Sequence, residues 1–174
     1  MFVVTPGGGT SFSQHQRLWL WVPARARDAR LAGTTLLLLL DRFMDARDFI
    51  KIGMSAERIL VVPPERTVGH FVPHMPMVYA TPMMILEMEM ASGDAIYACL
   101  QPGWVTVGTE VDIRHLAATP VGATVRTTAR VVAVERRVIR FEVEAFDERR
   151  RIGEGRHARG LVNVENFTKH LGMS

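Results

Sequence analysis

The sequence predicts an α+β protein in which one antiparallel sheet wraps around a single long apolar helix. Three observations carry this reading. Residues 83–100 run without proline and are apolar on most sides. Four later stretches, 104–116, 124–135, 138–146 and 151–164, alternate apolar with polar residues at period two, the mark of half-buried strands. The joints between them are short turns, and strands joined by short turns run antiparallel. A sheet with one buried face and a helix that needs burying satisfy each other in two layers.

Size and composition set the limits. At 174 residues, 48% of them apolar, one domain with a real core is expected. The single cysteine, Cys99, excludes an intrachain disulfide framework and a multi-cysteine metal site, and fits a reducing, cytoplasmic setting. Residues 1–53 carry seven Lys/Arg against four Asp/Glu, and residues 54–174 carry fourteen of each. The basic excess thus lies outside the stretch that looks folded, so the high pI implies no nucleic-acid partner.

Residues 1–53 form an N-terminal arm unlike the remainder: a Gly/Ser/Thr-rich opening, a basic cluster at 25–30 and an apolar run at 31–40. That run is shorter than the roughly 20 residues needed to span a bilayer, so no membrane association is expected. The arm is expected to be poorly ordered or to precede the true start, with the domain proper over 54–174. Within the domain, 59–62 reads as a first strand, broken by Pro63-Pro64 and therefore at an edge, with 66–71 continuing it. Residues 70–77 are loop-like. Thr81 before Pro82 suits an N-cap followed by proline at the first helical position. Met84, Met88, Ala91, Ala95 and Cys99 then form one stripe at helical spacing, widened by Ile85, Ser92 and Ile96. Gln101-Pro102-Gly103 ends the helix. Thr119-Pro-Val-Gly122 is a turn, Arg136-Arg137 another, and 147–150 a charged hairpin loop. A short helix over 165–171 closes the chain.

The candidate chemistry is concentrated in 104–122. There a strand delivers His115 into a run of small residues, where an imidazole can shuttle a proton. Glu89 stands among Met84, Ile85, Met88, Met90 and Ala91, where a carboxylate is expensive to bury unpaired. Glu87 is a second acid on the same helix, and the residues alone make either one a solvated charge. Gly108 has no side chain to block approach to its amide. The pair His70 and His74 has a two-ligand spacing, but Pro73 between them argues against a shared helix face, and no metal or redox cofactor is called for.

Thr81-Pro-Met-Met, Gly108-Thr-Glu and His115-Leu-Ala-Ala-Thr-Pro-Val-Gly122 resemble the hot-dog fold thioesterase superfamily, in particular fluoroacetyl-CoA thioesterase-like proteins. The resemblance covers about 59–167. It implies a hot-dog fold and hydrolysis of a small or medium acyl-CoA to free acid and CoA. It implies Thr81, Glu89 and His115 as the catalytic constellation, Gly108 as an amide donor to the thioester oxygen, and Arg159 of His157-Ala-Arg159 as a substrate-binding residue. Arg159 could bind a CoA phosphate or form only a surface ion pair. Fluoroacetyl-specific members carry a longer, Phe-bearing lid before the helix and Gly after the Thr. This chain has only residues 70–79, with Phe71, and Pro82, so fluoroacetate specificity is not implied. Two alternatives share the fold: a non-catalytic acyl-CoA-binding module, and an enoyl-CoA hydratase, which would pair an Asp with its His. Asp112, three residues before His115, falls on the opposite strand face.

Spacing adds one expectation. Gly108 and His115 are separated by roughly 23 Å of extended strand, and Thr81 and Glu89 by about 12 Å of helix. One acyl group cannot reach all four in one chain, so a homodimer, alone or as a dimer of dimers, with sites between subunits is expected.

Overall fold

The computed structural model describes residues 44–172. Five strands, β1 (Ser55–Val61), β2 (Trp104–His115), β3 (Thr124–Val134), β4 (Val138–Phe146) and β5 (Arg151–Asn163), form one sheet in the order β1-β3-β4-β5-β2. All neighbours are antiparallel. The helices are α1 (Val68–Phe71), α2 (Thr81–Tyr97) and α3 (Val164–His170). α2 packs against the inner face of β1, β3 and β4, which is the hot-dog arrangement.

Period-two alternation decides which face is inner. In β3, Val125, Thr127, Ala129 and Val131 are buried. In β4, Ile139, Phe141, Val143 and Ala145 are buried. They meet Met84, Met88, Ala91 and Ile96 of α2 in one continuous core. Removing this much apolar surface from water is the main force holding the two layers together.

Several elements differ from expectation. Residues 66–71 do not extend the first strand. After β1 the chain makes a 3₁₀ turn, Pro64–Arg66, and then the short helix α1. Pro63 and Pro64 lack the amides a strand needs, so the ladder stops at Val61. The turn after His115 is not a hairpin. β2 pairs only with β5, while β3 pairs with β1 and β4, so residues 116–123 cross from one side of the sheet to the other. Gly122, at φ +83°, makes that corner in a conformation a side chain disfavours. β1 and β2 are the two edge strands.

The folded part also reaches further back than residue 54. Ala46 and Ile50 are fully buried in the core, and the Ala46 and Gly53 amides donate to the Arg136 and Val131 carbonyls. The remainder of the predicted arm, residues 1–43, lies outside the described residues.

Candidate active site

Thr81 is the first residue of α2 and not its cap. Ala80 is the N-cap, without a side-chain cap bond, and Pro82 follows within the first turn. The Thr81 hydroxyl is thereby released from capping and lies 2.8 Å from His115 Nδ1. The other ring nitrogen, His115 Nε2, is buried and has no hydrogen-bond partner among the described residues. An imidazole with one nitrogen held and the other uncommitted is arranged to exchange a proton with something not yet bound.

Two backbone connections bring these residues together. The Tyr79 amide donates to the Thr119 carbonyl (2.7 Å), and the Val121 amide to Met77 (2.9 Å). Val78 and Pro120 form an isolated bridge between the same two segments. The Thr119 hydroxyl is anchored in turn on Asp147 in the β4–β5 turn. The small-residue run after His115 is therefore a strap tying the His115 loop to the entry of α2.

A second strut lies beneath this entry. Glu87 is buried; it accepts from Arg58 Nε at 2.9 Å and from Arg66 Nη1. Arg58 also reaches Asp94 at 2.6 Å. The Arg66 carbonyl accepts from the amide of the N-cap residue Ala80. Of the two glutamates on α2, Glu87 is thus a buried, paired structural group, which residue spacing alone did not distinguish from a solvated charge.

Glu89 lies at the other end of the arrangement. Its side chain keeps 26% of its accessibility. Arg159 Nη1 approaches both the Glu89 carbonyl (3.0 Å) and Oε1 (3.4 Å), while Nε and Nη2 donate to the hydroxyl and carbonyl of Thr106. Arg159 is 4% exposed, so it is not a surface ion pair. Burial pulls its guanidinium downward in pKa, and the Glu89 carboxylate opposes that. Gly108 closes the group: a Cβ built there would stand 2.6 Å from Glu89 Oε1 and 3.2 Å from His157 Cε1. Only glycine lets the carboxylate lie this close to the strand.

The five residues singled out from the sequence fall into two clusters within one chain. Thr81 and His115 form one; Glu89, Gly108 and Arg159 form the other. Both face the helix, although residues seven apart on a regular strand point to opposite sides. A β-bulge resolves this. Gly108 pairs with Arg159 and Glu110 with Ala158, leaving Thr109 as the extra residue. The insertion restores the phase, so Gly108, Val111, Ile113 and His115 share the inner face. Asp112 and Arg114 turn outward, where they line a concavity with Arg130, Glu142 and Arg156. The Asp a hydratase would need is therefore on the wrong side of the sheet.

The residue that sequence reasoning passed over is His157. It is buried, contacts this second cluster, and was legible only in that its position two before Arg159 puts both on one face.

Residues 62–165 match the model of the family described as fluoroacetyl-CoA-specific thioesterase. The fluoroacetyl-CoA thioesterase of Streptantibioticus cattleyicolor is 37% identical over 127 residues, covering 70% of this chain and 91% of that protein. A solved structure of the fluoroacetyl-CoA thioesterase FlK is similar at a TM-score of 0.67 and 35% identity, covering 72% of this chain and 97% of that one. FlK has also been solved, as a mutant, in complex with fluoroacetate and CoA. A Thermus thermophilus thioesterase superfamily member is similar at a TM-score of 0.66 and 33% identity, covering 71% of this chain and 91% of that one. The sequence match and the shared fold extend over the same helix and strands that carry both clusters, and the chain belongs to the fluoroacetyl-CoA-specific thioesterase family, acyl-CoA thioesterases of the hot-dog fold.

Proposed function

We propose that this chain hydrolyses a small or medium acyl-CoA to the free acid and CoA at a site completed by a second copy of itself. Thr81, Glu89 and His115 are the catalytic residues. The observation that carries the reading is the 2.8 Å contact between Thr81 Oγ1 and His115 Nδ1, which leaves Nε2 buried and uncommitted.

In this reading Glu89 acts on the thioester carbonyl, either by drawing a proton from the water that attacks it or by attacking it directly, and in the second case water then hydrolyses the acyl–Glu89 anhydride to the free acid and Glu89. The carbonyl becomes a tetrahedral oxyanion that the Gly108 amide stabilises. Collapse breaks the C–S bond, and CoA leaves as a thiolate that takes a proton from His115, which regains one from the water consumed in the reaction. Thiolate is a good leaving group, so the protein's main task is at the carbonyl. Arg159 is read here as the residue that holds Glu89 in place, since its hydrogen bonds run to Glu89 and Thr106. That takes the place of the CoA-phosphate contact expected from the sequence.

The second copy is inferred from β2. It is an edge strand, its residues from Gly108 to Asp112 are all exposed, and Val105 and Val111 present apolar surface along it. Such an edge is a template for pairing with another strand. Antiparallel pairing of two β2 strands about Val111 and Asp112 brings Gly108 of one copy toward the His115 end of the other. Each dimer then has two complete sites. Among the described residues no helix is long and apolar enough to cross a membrane; together with the single Cys99, this supports a cytoplasmic location.

A thiol-release assay over a panel of acyl-CoAs tests the reading, with Glu89→Gln and His115→Ala alongside. Loss of turnover in both variants is expected. Turnover untouched by both would sink the site assignment, and full activity in a species that light scattering shows to be monomeric would sink the shared site.

A further inference from the structure

His157 is a buried titratable group for which the reaction above has no use. It is 2% exposed. Its Nδ1 lies 2.9 Å from the Glu110 carbonyl, which can only accept, so Nδ1 carries the proton. Its Nε2 lies 3.5 Å from Arg159 Nη1, which can only donate, so Nε2 is the unprotonated acceptor. Both partners select the same neutral tautomer. Phe141 lies on the far side, with ring centroids 6.3 Å apart.

Each contact is made to a part of the Glu89 cluster. Glu110 is the residue that re-enters the ladder after the Thr109 bulge, and that bulge turns Gly108 toward the helix. Arg159 is the guanidinium on Glu89. The His157 ring edge borders Gly108 itself. Burial and the neighbouring guanidinium both hold the imidazole's pKa below its ordinary value, which keeps it in the form that can accept from Arg159.

We propose that His157 is a positioning residue for Glu89: its Nδ1–H fixes the carbonyl that closes the Thr109 bulge, and its Nε2 steadies Arg159 on the Glu89 carboxylate. The role rests on the reading of Glu89 as the acting carboxylate. His157 touches neither acyl group nor CoA in this scheme, so it acts on kcat and not on binding.

The test compares His157→Phe, His157→Asn and His157→Gln in the thiol-release assay, with Arg159→Lys as a second background. The phenylalanine variant loses both hydrogen bonds. Its kcat is expected to fall on the order of 100-fold, the scale of a misplacement near the reacting atoms, with KM within about twofold. Asparagine keeps a donor at the Nδ1 position and is expected to recover part of the loss. In the Arg159→Lys background, His157→Phe should cost little more, because both substitutions loosen the same carboxylate. A purely structural histidine would instead lower the melting temperature, leave kcat per folded molecule unchanged and add its effect to that of Arg159→Lys. That pattern, or a raised KM at unchanged kcat, overturns the proposal. If the phenylalanine variant does not fold, asparagine and glutamine, each keeping one of the two contacts, carry the same comparison. Glu89→Gln at full activity overturns the site reading itself, and this role with it.

Discussion

Thr81 and His115 stand 34 residues apart in the chain and meet at 2.8 Å. The contact exists because Ala80, not Thr81, occupies the cap position of α2. If the hydroxyl orients the imidazole, Thr81→Val should lower kcat while the fold survives, since no cap is lost. Thr81→Ser should retain most of the activity. His115→Ala should lower kcat about 10²–10⁴-fold, the range for a general acid or base. Equal losses in Thr81→Ser and Thr81→Val, measured by thiol release, would contradict the orienting role.

The two glutamates of α2 are expected to separate stability from catalysis. Glu87→Ala leaves Arg58 and Arg66 facing an empty site. Removing one partner of a fully buried ion pair costs about 3–5 kcal/mol. The two arginine side chains keep 19% and 27% of their accessibility, so water relieves part of that, and about 2–3 kcal/mol is expected by denaturant titration. Activity per folded molecule should change by less than about tenfold. Glu89→Gln should do the reverse: near-normal stability and a large loss of kcat. A Glu87→Ala protein that melts like the parent would refute the strut.

Much of this arrangement was legible before any coordinates. The strand alternation in β3 and β4 matched the structure to within a residue at each boundary, because both faces are decided by the same buried core. The placement of β5 between β4 and β2 was not legible, since residues 116–123 look like a hairpin turn and nothing in their composition says they cross the sheet. The bulge at Thr109 left no mark either: a bulge is one extra residue against a partner strand, and without the partner there is nothing to count. Glu87 and Glu89 could not be ranked by burial because the groups that decide it, Arg58, Arg66 and Arg159, lie on β1, the following turn and β5.

Gly108→Ala is a narrow test of the second cluster. The added methyl would enter the space held by Glu89 Oε1 at 2.6 Å. A flexible carboxylate can move aside, so little stability should be lost; its position against the strand should be lost entirely. A kcat near that of Glu89→Gln, with an unchanged melting temperature, is the expected result. Unchanged kcat would mean that the close approach of Glu89 to the strand is not needed.

His157 also gives the fold a pH dependence. Its folded pKa lies below the ordinary 6.5, so between the two values the unfolded chain binds the extra proton. Its contribution to stability is therefore complete above pH 6.5 and is lost as pH falls through the folded pKa. The groups facing it are the Glu110 carbonyl on β2, Arg159 on β5, Glu89 on α2 and the Phe141 ring on β4. Asp147 acts in the same direction at lower pH: desolvation works to raise its carboxyl, but the Arg149 and Arg150 amides and the Thr119 hydroxyl together hold it below the ordinary 3.8. Thermal melts across this range should show a fall below pH 6.5 that is shallower in His157→Gln. The same slope in both proteins would remove His157 as its source.

The beginning of the domain can be set by truncation. Met54 looked like a natural start from composition, but Ala46 and Ile50 are at 0% and 1% exposure and lie against the core. Ala46 also donates its amide to the carbonyl of Arg136, in the β3–β4 turn. A chain beginning at Met44 retains all of these contacts, and one beginning at Met54 retains none. The first should fold and serves as the reference. Losing the buried Ile50 side chain alone costs about 2–5 kcal/mol, so the second should unfold at markedly lower temperature or fail to accumulate as a folded species. Ile50→Ala in the full-length chain, with the backbone contacts kept, should show that side-chain part of the loss. Equal melting temperatures for the two truncated proteins would return the boundary to residue 54.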